Sequence, residues 1–246
     1  MKLTVLGSNS AGNGYIIQND QEAIILECGI RFSDALKALN FNTSKVEGVF
    51  VTHEHLDHCK FVKDYQAAGF PLYASQGTID KMSTLQFASK TVMKEGTMVQ
   101  VGNFKVKAFN VKHDCAEPLG FLIYHPETGY ILFATDTYYL PYKFDDISHW
   151  LIECNYRKDI LDRNCPEKSF KKILRDRTLE SHMSFDVCRK ALTVNDLQST
   201  RNIILIHLSD SNSNAAEFKR DIEKETGKIT HIAQKGLEIN LSKRQF

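Results

Sequence analysis

Four side chains able to bind a metal crowd six positions in Val51-Thr52-His53-Glu54-His55-Leu56-Asp57-His58. A strand-like apolar run precedes them and a segment of helical period follows, so this His-x-His-x-Asp-His sequence occupies a strand-to-helix turn. There His53 and His55 alternate to one side, while Asp57 and His58 open the helix and turn toward a second point. One short loop can thereby feed two adjacent cations. With nine histidines in the whole chain, three within six residues are a poor match to a chance surface cluster. Imidazole and carboxylate at this density suit zinc, iron or manganese.

The motif resembles the signature of the metallo-β-lactamase superfamily, whose remaining ligands come from strand ends further along the chain. In that order stand His113 after the strand-like run Phe104 to Asn110, Asp136 after Tyr130 to Ala134, and His207 after Ile203 to Ile206. Singly, a polar residue after a strand is most often only a satisfied polar group. The resemblance implies that one metal takes His53, His55 and His113, that the other takes Asp57, His58 and His207, and that Asp136 bridges them. It also implies two divalent ions, zinc first with manganese or iron as alternatives. The implied fold class is α/β, a four-layer αββα arrangement of two mixed β-sheets packed face to face with helices outside.

His182 lies in Glu180-Ser181-His182-Met183-Ser184, directly before a helical segment that leads to the His207 strand. This layout is similar to the YycJ-like (WalJ-like) branch and its ribonuclease Z relatives. There a histidine before the penultimate helix, supported by a glutamate on an earlier strand, acts on the scissile phosphate without ligating metal. The matching glutamate is Glu153 in Leu151-Ile152-Glu153-Cys154-Asn155, and a carboxylate that orients and charges an imidazole keeps a general acid poised. The bland alternative is that Glu153 closes a strand while Ser181 or His182 caps a helix. Leu6-Gly7-Ser8-Asn9-Ser10-Ala11-Gly12-Asn13-Gly14 looks like the family's first turn, and His207-Leu208-Ser209 with Asn212 like its last ligand motif. The chain departs at Glu27-Cys28-Gly29, where the family usually carries aspartate first. His125, His149 and His231 fit no position of the pattern and are read as structural.

Short alternating or continuous apolar blocks supply the strands that must position these groups: Leu3 to Leu6, Tyr15 to Ile17, Ala23 to Leu26, Val46 to Val51, Met98 to Val101, Phe104 to Asn110, Gly120 to Tyr124, Tyr130 to Ala134, Trp150 to Glu153 and Asn202 to His207. Helical period marks Ser33 to Leu39, Phe61 to Ala68, Ile79 to Ala88, Phe185 to Leu192 and Asn214 to Glu225. Two strand-rich halves, each ending in helices, predict a sheet-on-sheet core with helices outside. At 246 residues one domain over 1–246 is the simplest reading. No repeat, low-complexity tract or Gly/Ser/Pro linker divides it, and the polar stretch Arg157 to Arg177 is read as an insertion or a solvated helical connection.

Hydrophobic residues at 42% and charged residues at 25% exclude disorder and fibres. Six scattered cysteines without a CxxC pair argue against a disulfide framework, and with no export signal or membrane-length apolar run the expected location is cytoplasmic, with no membrane partner. A net charge of +1 advertises no polyanion, so nucleic-acid binding would need a local patch. Lys168, Lys171, Lys172, Arg175 and Arg177 could grip a backbone, or form a solvated face.

The function that these expectations support is a two-metal phosphodiesterase acting on nucleic acid, with hydroxide held between the metals as nucleophile, Asp57 orienting it and His182 acting as acid. The resemblance points to DNA, as an exonuclease, ahead of RNA; the chain is too short for the large insertion of the RNA-degrading and cleavage-factor relatives. A small cyclic phosphodiester, thioester or lactone could use the same metals. A diiron redox protein or a non-catalytic metal-binding module fits less well, since no flavin domain accompanies the motif and the full ligand set is present.

Overall fold

The computed structural model describes residues 1–86, 88–166 and 172–243. In chain order the elements are β1 (Lys2–Asn9), β2 (Gly12–Gln18), β3 (Ala23–Leu26), α1 (Phe32–Ala38), a 3-10 turn (Thr43–Lys45), β4 (Val46–Phe50), α2 (Leu56–Cys59), α3 (Val62–Ala67), β5 (Leu72–Ala74), α4 (Gln76–Lys81), β6 (Lys90–Val92), β7 (Met98–Val101), β8 (Phe104–Asn110) and β9 (Leu119–His125). They continue with β10 (Gly129–Ala134), β11 (Ile147–Glu153), α5 (Lys158–Asn164), α6 (Lys172–Ser181), α7 (Phe185–Thr193), β12 (Asn202–Ile206), α8 (Ala215–Thr226), β13 (Ile229–Ile232) and β14 (Glu238–Asn240). These strands form two seven-stranded mixed sheets. The chain divides into two compact units: Met1–Asn110 with Cys115–Gly129 and Ala233–Phe246, and Val111–Asp114 with Tyr130–Ile232.

In the first unit the strand order is β14-β1-β2-β3-β4-β5-β6. The pairs from β14 to β3 are antiparallel and those from β3 to β6 parallel. Its core gathers Leu6, Ile16, Ile25, Val49 and Val51 from the sheet with Ala35, Leu39, Val62, Tyr65 and Phe70 from α1, α3 and their loops. The same unit holds the antiparallel strands β7, β8 and β9. On β8 the burial alternates from Phe104 to Ala108, the period-2 pattern of a strand with one wet face.

In the second unit β10, β11, β12 and β13 pair in parallel in that order. Every residue of β11 is buried, polar Ser148, His149 and Glu153 included, as befits a strand inside a parallel sheet. Trp150 at its centre donates its indole N–H to Thr200 Oγ1 at 3.0 Å. Helices α7 and α8 meet through Phe185 and Phe218, whose rings stack at 4.7 Å. Ser184 caps α7 by accepting from Val187 N, and Asn214 caps α8 by accepting from Glu217 N. Gly227, at φ 66°, ends α8 in the left-handed conformation that glycine adopts without steric cost.

The helix expected over Ile79 to Ala88 is displaced. Ser75 accepts from Thr78 N and starts α4 at Gln76, and the helix ends at Lys81. Beyond it Leu85 N donates to Gln66 Oε1 at 2.8 Å, so that backbone finds its partner outside a helical ladder, and Phe87 lies outside the described residues. The polar stretch after Arg157 carries α5 and α6. No disulfide joins the six cysteines, and no described helix is long and apolar enough to cross a membrane.

Glycine is required at one point of the first unit. A Cβ on Gly29 would lie 1.7 Å from the Asp57 carbonyl oxygen and 2.9 Å from Asn13 N, both of them backbone atoms. Overpacking of this kind costs about 1–3 kcal/mol or more, which at this chain length lowers the melting temperature by roughly 2–4 °C per kcal/mol. Gly29→Ala should therefore melt several degrees below the parent in thermal denaturation; an unchanged midpoint would show that this approach is not tight.

Candidate functional site

In the first unit the candidate residues lie on the loop between β4 and α2. His53 Nε2 and His55 Nδ1 approach to 3.1 Å, and Asp57 Oδ2 and His58 Nε2 to 3.2 Å. Asp57 and His58 fall within the four-residue α2, as the spacing predicts. The loop is braced from below. Cys28 N donates to the His58 carbonyl at 2.8 Å and Gly29 N to the Asn13 carbonyl at 3.0 Å. Fully buried Glu27 faces the Thr52 amide at 3.4 Å and His58 Nδ1 at 3.6 Å. Burial pushes the Glu27 carboxyl up, and His58 and Thr52 offset this only in part. The longer side chain at position 27 thus still reaches the His53–His58 loop.

The second unit holds His113, Asp136, Glu153, His182 and His207. Asp136 turns Oδ2 toward His113 Nε2 and Oδ1 toward His207 Nε2, each at 3.6 Å. Glu153 Oε1 accepts from His182 Nδ1 at 2.7 Å. Its other oxygen accepts from Thr137 N at 2.7 Å and Met183 N at 3.2 Å. Single donor atoms of Asp136, Glu153, His182 and His207 lie within 4.8 Å of one another. Burial alone would raise the Glu153 carboxyl, but His182 outweighs it and holds the group below the usual carboxylate range. Burial would likewise lower His182, and the Glu153 charge reverses that, so the imidazole is raised and favours its charged form.

These distances test whether a metal fits. With zinc–nitrogen bonds near 2.0–2.1 Å, two ligand atoms on one tetrahedral ion sit about 3.3 Å apart. The His53–His55, Asp57–His58, Asp136–His113 and Asp136–His207 separations of 3.1, 3.2, 3.6 and 3.6 Å all lie near that edge length. A ligating histidine normally spends its other ring nitrogen on a protein partner. Here His53 Nδ1 faces Thr52 Oγ1 at 2.9 Å, His113 Nδ1 the Ser181 carbonyl at 2.8 Å and His58 Nδ1 Glu27 at 3.6 Å. Within each unit the donors are of a type and spacing that a divalent ion would accept.

Glu27, Asp136 and His207 adopt left-handed backbones at φ 65°, 45° and 54°. Each follows a strand, and such residues cost about 1–3 kcal/mol each unless the surroundings hold them. Asp136 is held by Thr135 Oγ1 at 2.7 Å, and His207 by Asn155 Nδ2, which reaches its carbonyl at 2.8 Å and its Nδ1 at 3.1 Å.

Sequence reasoning missed Asn13 and Asn155 as supports. Asn13 Nδ2 reaches Asp57 Oδ2 and His58 Nε2, both at 3.1 Å. Its place in the glycine-rich first turn was the available signal, and Asn155 stands two residues after Glu153. The helix cap considered at Ser181 or His182 belongs instead to Ser184. Of the basic run, Arg175 pairs with Asp162 at 2.8 Å and Arg177 with Asp114 at 2.8 Å. Lys172 is exposed, and Lys168 and Lys171 lie outside the described residues. His125 bonds Glu22 at 3.0 Å, His149 bonds Asn202 at 3.0 Å and His231 bonds Asn202 at 3.2 Å, consistent with structural roles.

Residues 24–208 match the family described as "Beta-lactamase superfamily domain". The chain is 28% identical to exodeoxyribonuclease YycJ of Bacillus anthracis, over 87% of this chain and 84% of that relative. It is 24% identical to exodeoxyribonuclease WalJ of Streptococcus pneumoniae, over 86% and 83%. Among solved structures, the metallo-beta-lactamase fold protein YhfI from Bacillus subtilis superposes with a TM-score of 0.73 at 15% identity, covering 97% of this chain and 98% of that one. Human tRNase Z, short form, gives 0.67 at 14% identity, covering 98% and 99%.

Removing Glu153 would strand two buried amide donors, each at a cost of about 1–3 kcal/mol. Glu153→Ala should therefore lower the unfolding free energy by several kcal/mol, and Glu153→Gln, which keeps an acceptor for Thr137 and Met183, should restore most of it. Chemical denaturation reads the difference, and equal stability of the alanine variant and the parent would refute this role.

Proposed function

Because this chain belongs to the metallo-β-lactamase superfamily and is a hydrolase of that fold, we propose that it cleaves phosphodiester bonds in nucleic acid, in DNA rather than RNA and from a strand end. The observation that carries the reading is the 2.7 Å bond between His182 and buried Glu153, with Asp136 and His207 donor atoms within 4.8 Å. Similarity to the exodeoxyribonucleases YycJ and WalJ supports DNA and the terminal mode.

The residues proposed to hold two divalent cations are His53, His55 and His113 for one, Asp57, His58 and His207 for the other, and Asp136 for both. Zinc is the ion that imidazole-rich donors favour first, ahead of manganese or iron. Such cations lower the pKa of water and neutralise charge that builds on the phosphoryl oxygens. Asp57 accepts a hydrogen bond from the attacking hydroxide, whose other proton has already passed to solvent, and so aligns it. As the new bond to phosphorus forms, the bond to the leaving sugar oxygen breaks, and that oxygen takes a proton from His182 Nε2. Glu153 holds Nδ1, which fixes the tautomer and keeps the ring charged until transfer.

His182→Ala should keep the parental metal content while its kcat on single-stranded DNA falls by about 10²–10⁴. Asp136→Ala and His58→Ala should lose metal together with activity. Metal analysis beside assays on single-stranded DNA, double-stranded DNA, RNA and a cyclic phosphodiester separates the readings. Parental turnover by His182→Ala would remove its role as acid, and hydrolysis of the small substrate alone would remove nucleic acid.

A further inference from the structure

The loop that leaves Asp136 reads Thr137-Tyr138-Tyr139-Leu140. Its backbone is pinned at several points. Thr137 N bonds Glu153 at 2.7 Å, Lys112 N bonds Thr137 Oγ1 at 3.0 Å, Tyr138 N bonds the Lys112 carbonyl at 3.2 Å, and Thr137 Oγ1 bonds the Tyr139 carbonyl at 2.8 Å. Leu140 is buried, and Phe144 packs edge-on against Trp150 at 6.2 Å.

On this fixed backbone Tyr138 and Tyr139 are 43% and 51% exposed. Among the described residues neither ring enters an aromatic pair or a side-chain hydrogen bond. Single exposed apolar residues are ordinary, but two adjacent aromatic rings on a pinned loop form a preorganised contact surface with little rotamer freedom left to lose. Their Cα atoms lie at most about 7 and 11 Å from that of Asp136, by chain length alone. Exposed Lys112 adds a positive charge beside the loop.

We propose that Tyr138 and Tyr139 are a stacking platform for an unpaired nucleobase of a single strand whose phosphodiester is at the Asp136 and His182 site. The inference rests on the phosphodiesterase reading and deepens it. Every base offers a π-face, so such a platform selects single-stranded over paired nucleic acid without reading sequence. It also gives a reason for aromatic rings, rather than a basic run, at the site's edge: Arg175 and Arg177 are held by Asp162 and Asp114.

The test uses the metal-loaded protein, the Tyr138→Ala/Tyr139→Ala double variant and the Tyr138→Phe/Tyr139→Phe double variant. Each is assayed on a single-stranded DNA oligonucleotide and on the same strand with abasic terminal positions. The alanine variant should raise KM for the base-bearing strand about tenfold or more, the worth of one stacked base. It should leave kcat, and KM for the abasic strand, within about twofold, and the phenylalanine variant should behave as the parent. A terminal 2-aminopurine should be quenched on binding the parent and the phenylalanine variant but not the alanine variant. An unchanged KM, an equal rise on the abasic strand, or no quenching by the parent would overturn the platform. Should the parent cleave no nucleic acid, the function proposed above falls, while quenching still decides the platform.

Discussion

A carboxylate sealed from water must find its donors in the protein, and Glu153 finds three, two backbone amides and His182, with the His207 ring a further neighbour at 3.6 Å. That one buried charge ties the end of β11 to the loop after β10, to the entrance of α7 and to the residue after β12. Four separate stretches of the second unit are thereby held to a common point. The charge on the imidazole and the placement of Asp136 are two results of a single desolvation problem.

The first unit solves its own version with less charge. Glu27 is buried against Thr52 and His58, and the approach of Gly29 to Asp57 leaves no room for a side chain. Both units place site residues just past strand ends with left-handed backbones, at Glu27, Asp136 and His207. A parallel strand feeding a loop must change direction there, and a left-handed residue does so in one step. Thr135 and Asn155 in the second unit, and Cys28 in the first, hold these corners through hydrogen bonds that offset the steric cost.

Strands with continuous or alternating apolar runs were legible in the sequence, β3, β7 and β8 to the residue. So were α7 and α8, whose caps and period agree. Strands β5, β6 and β14, of three residues each, were not, because so short a run has no period to detect, and in β13 Thr230 and His231 interrupt the apolar residues. The His53–His58 loop was legible because its candidate donors are adjacent in sequence. The supports were not: Asn13 is 44 residues from Asp57, and Asn155 is 52 from His207, and an amide carries no signature of its own until folding supplies its partner.

Pairing Arg175 and Arg177 with neighbouring aspartates has a kinetic side. Cations neutralised within a few ångströms project little field beyond a Debye length of about 8 Å, and the chain as a whole carries a charge of only +1. These two side chains would then add little to the steering of a polyanion, and what they discriminate would be decided by contacts at close range.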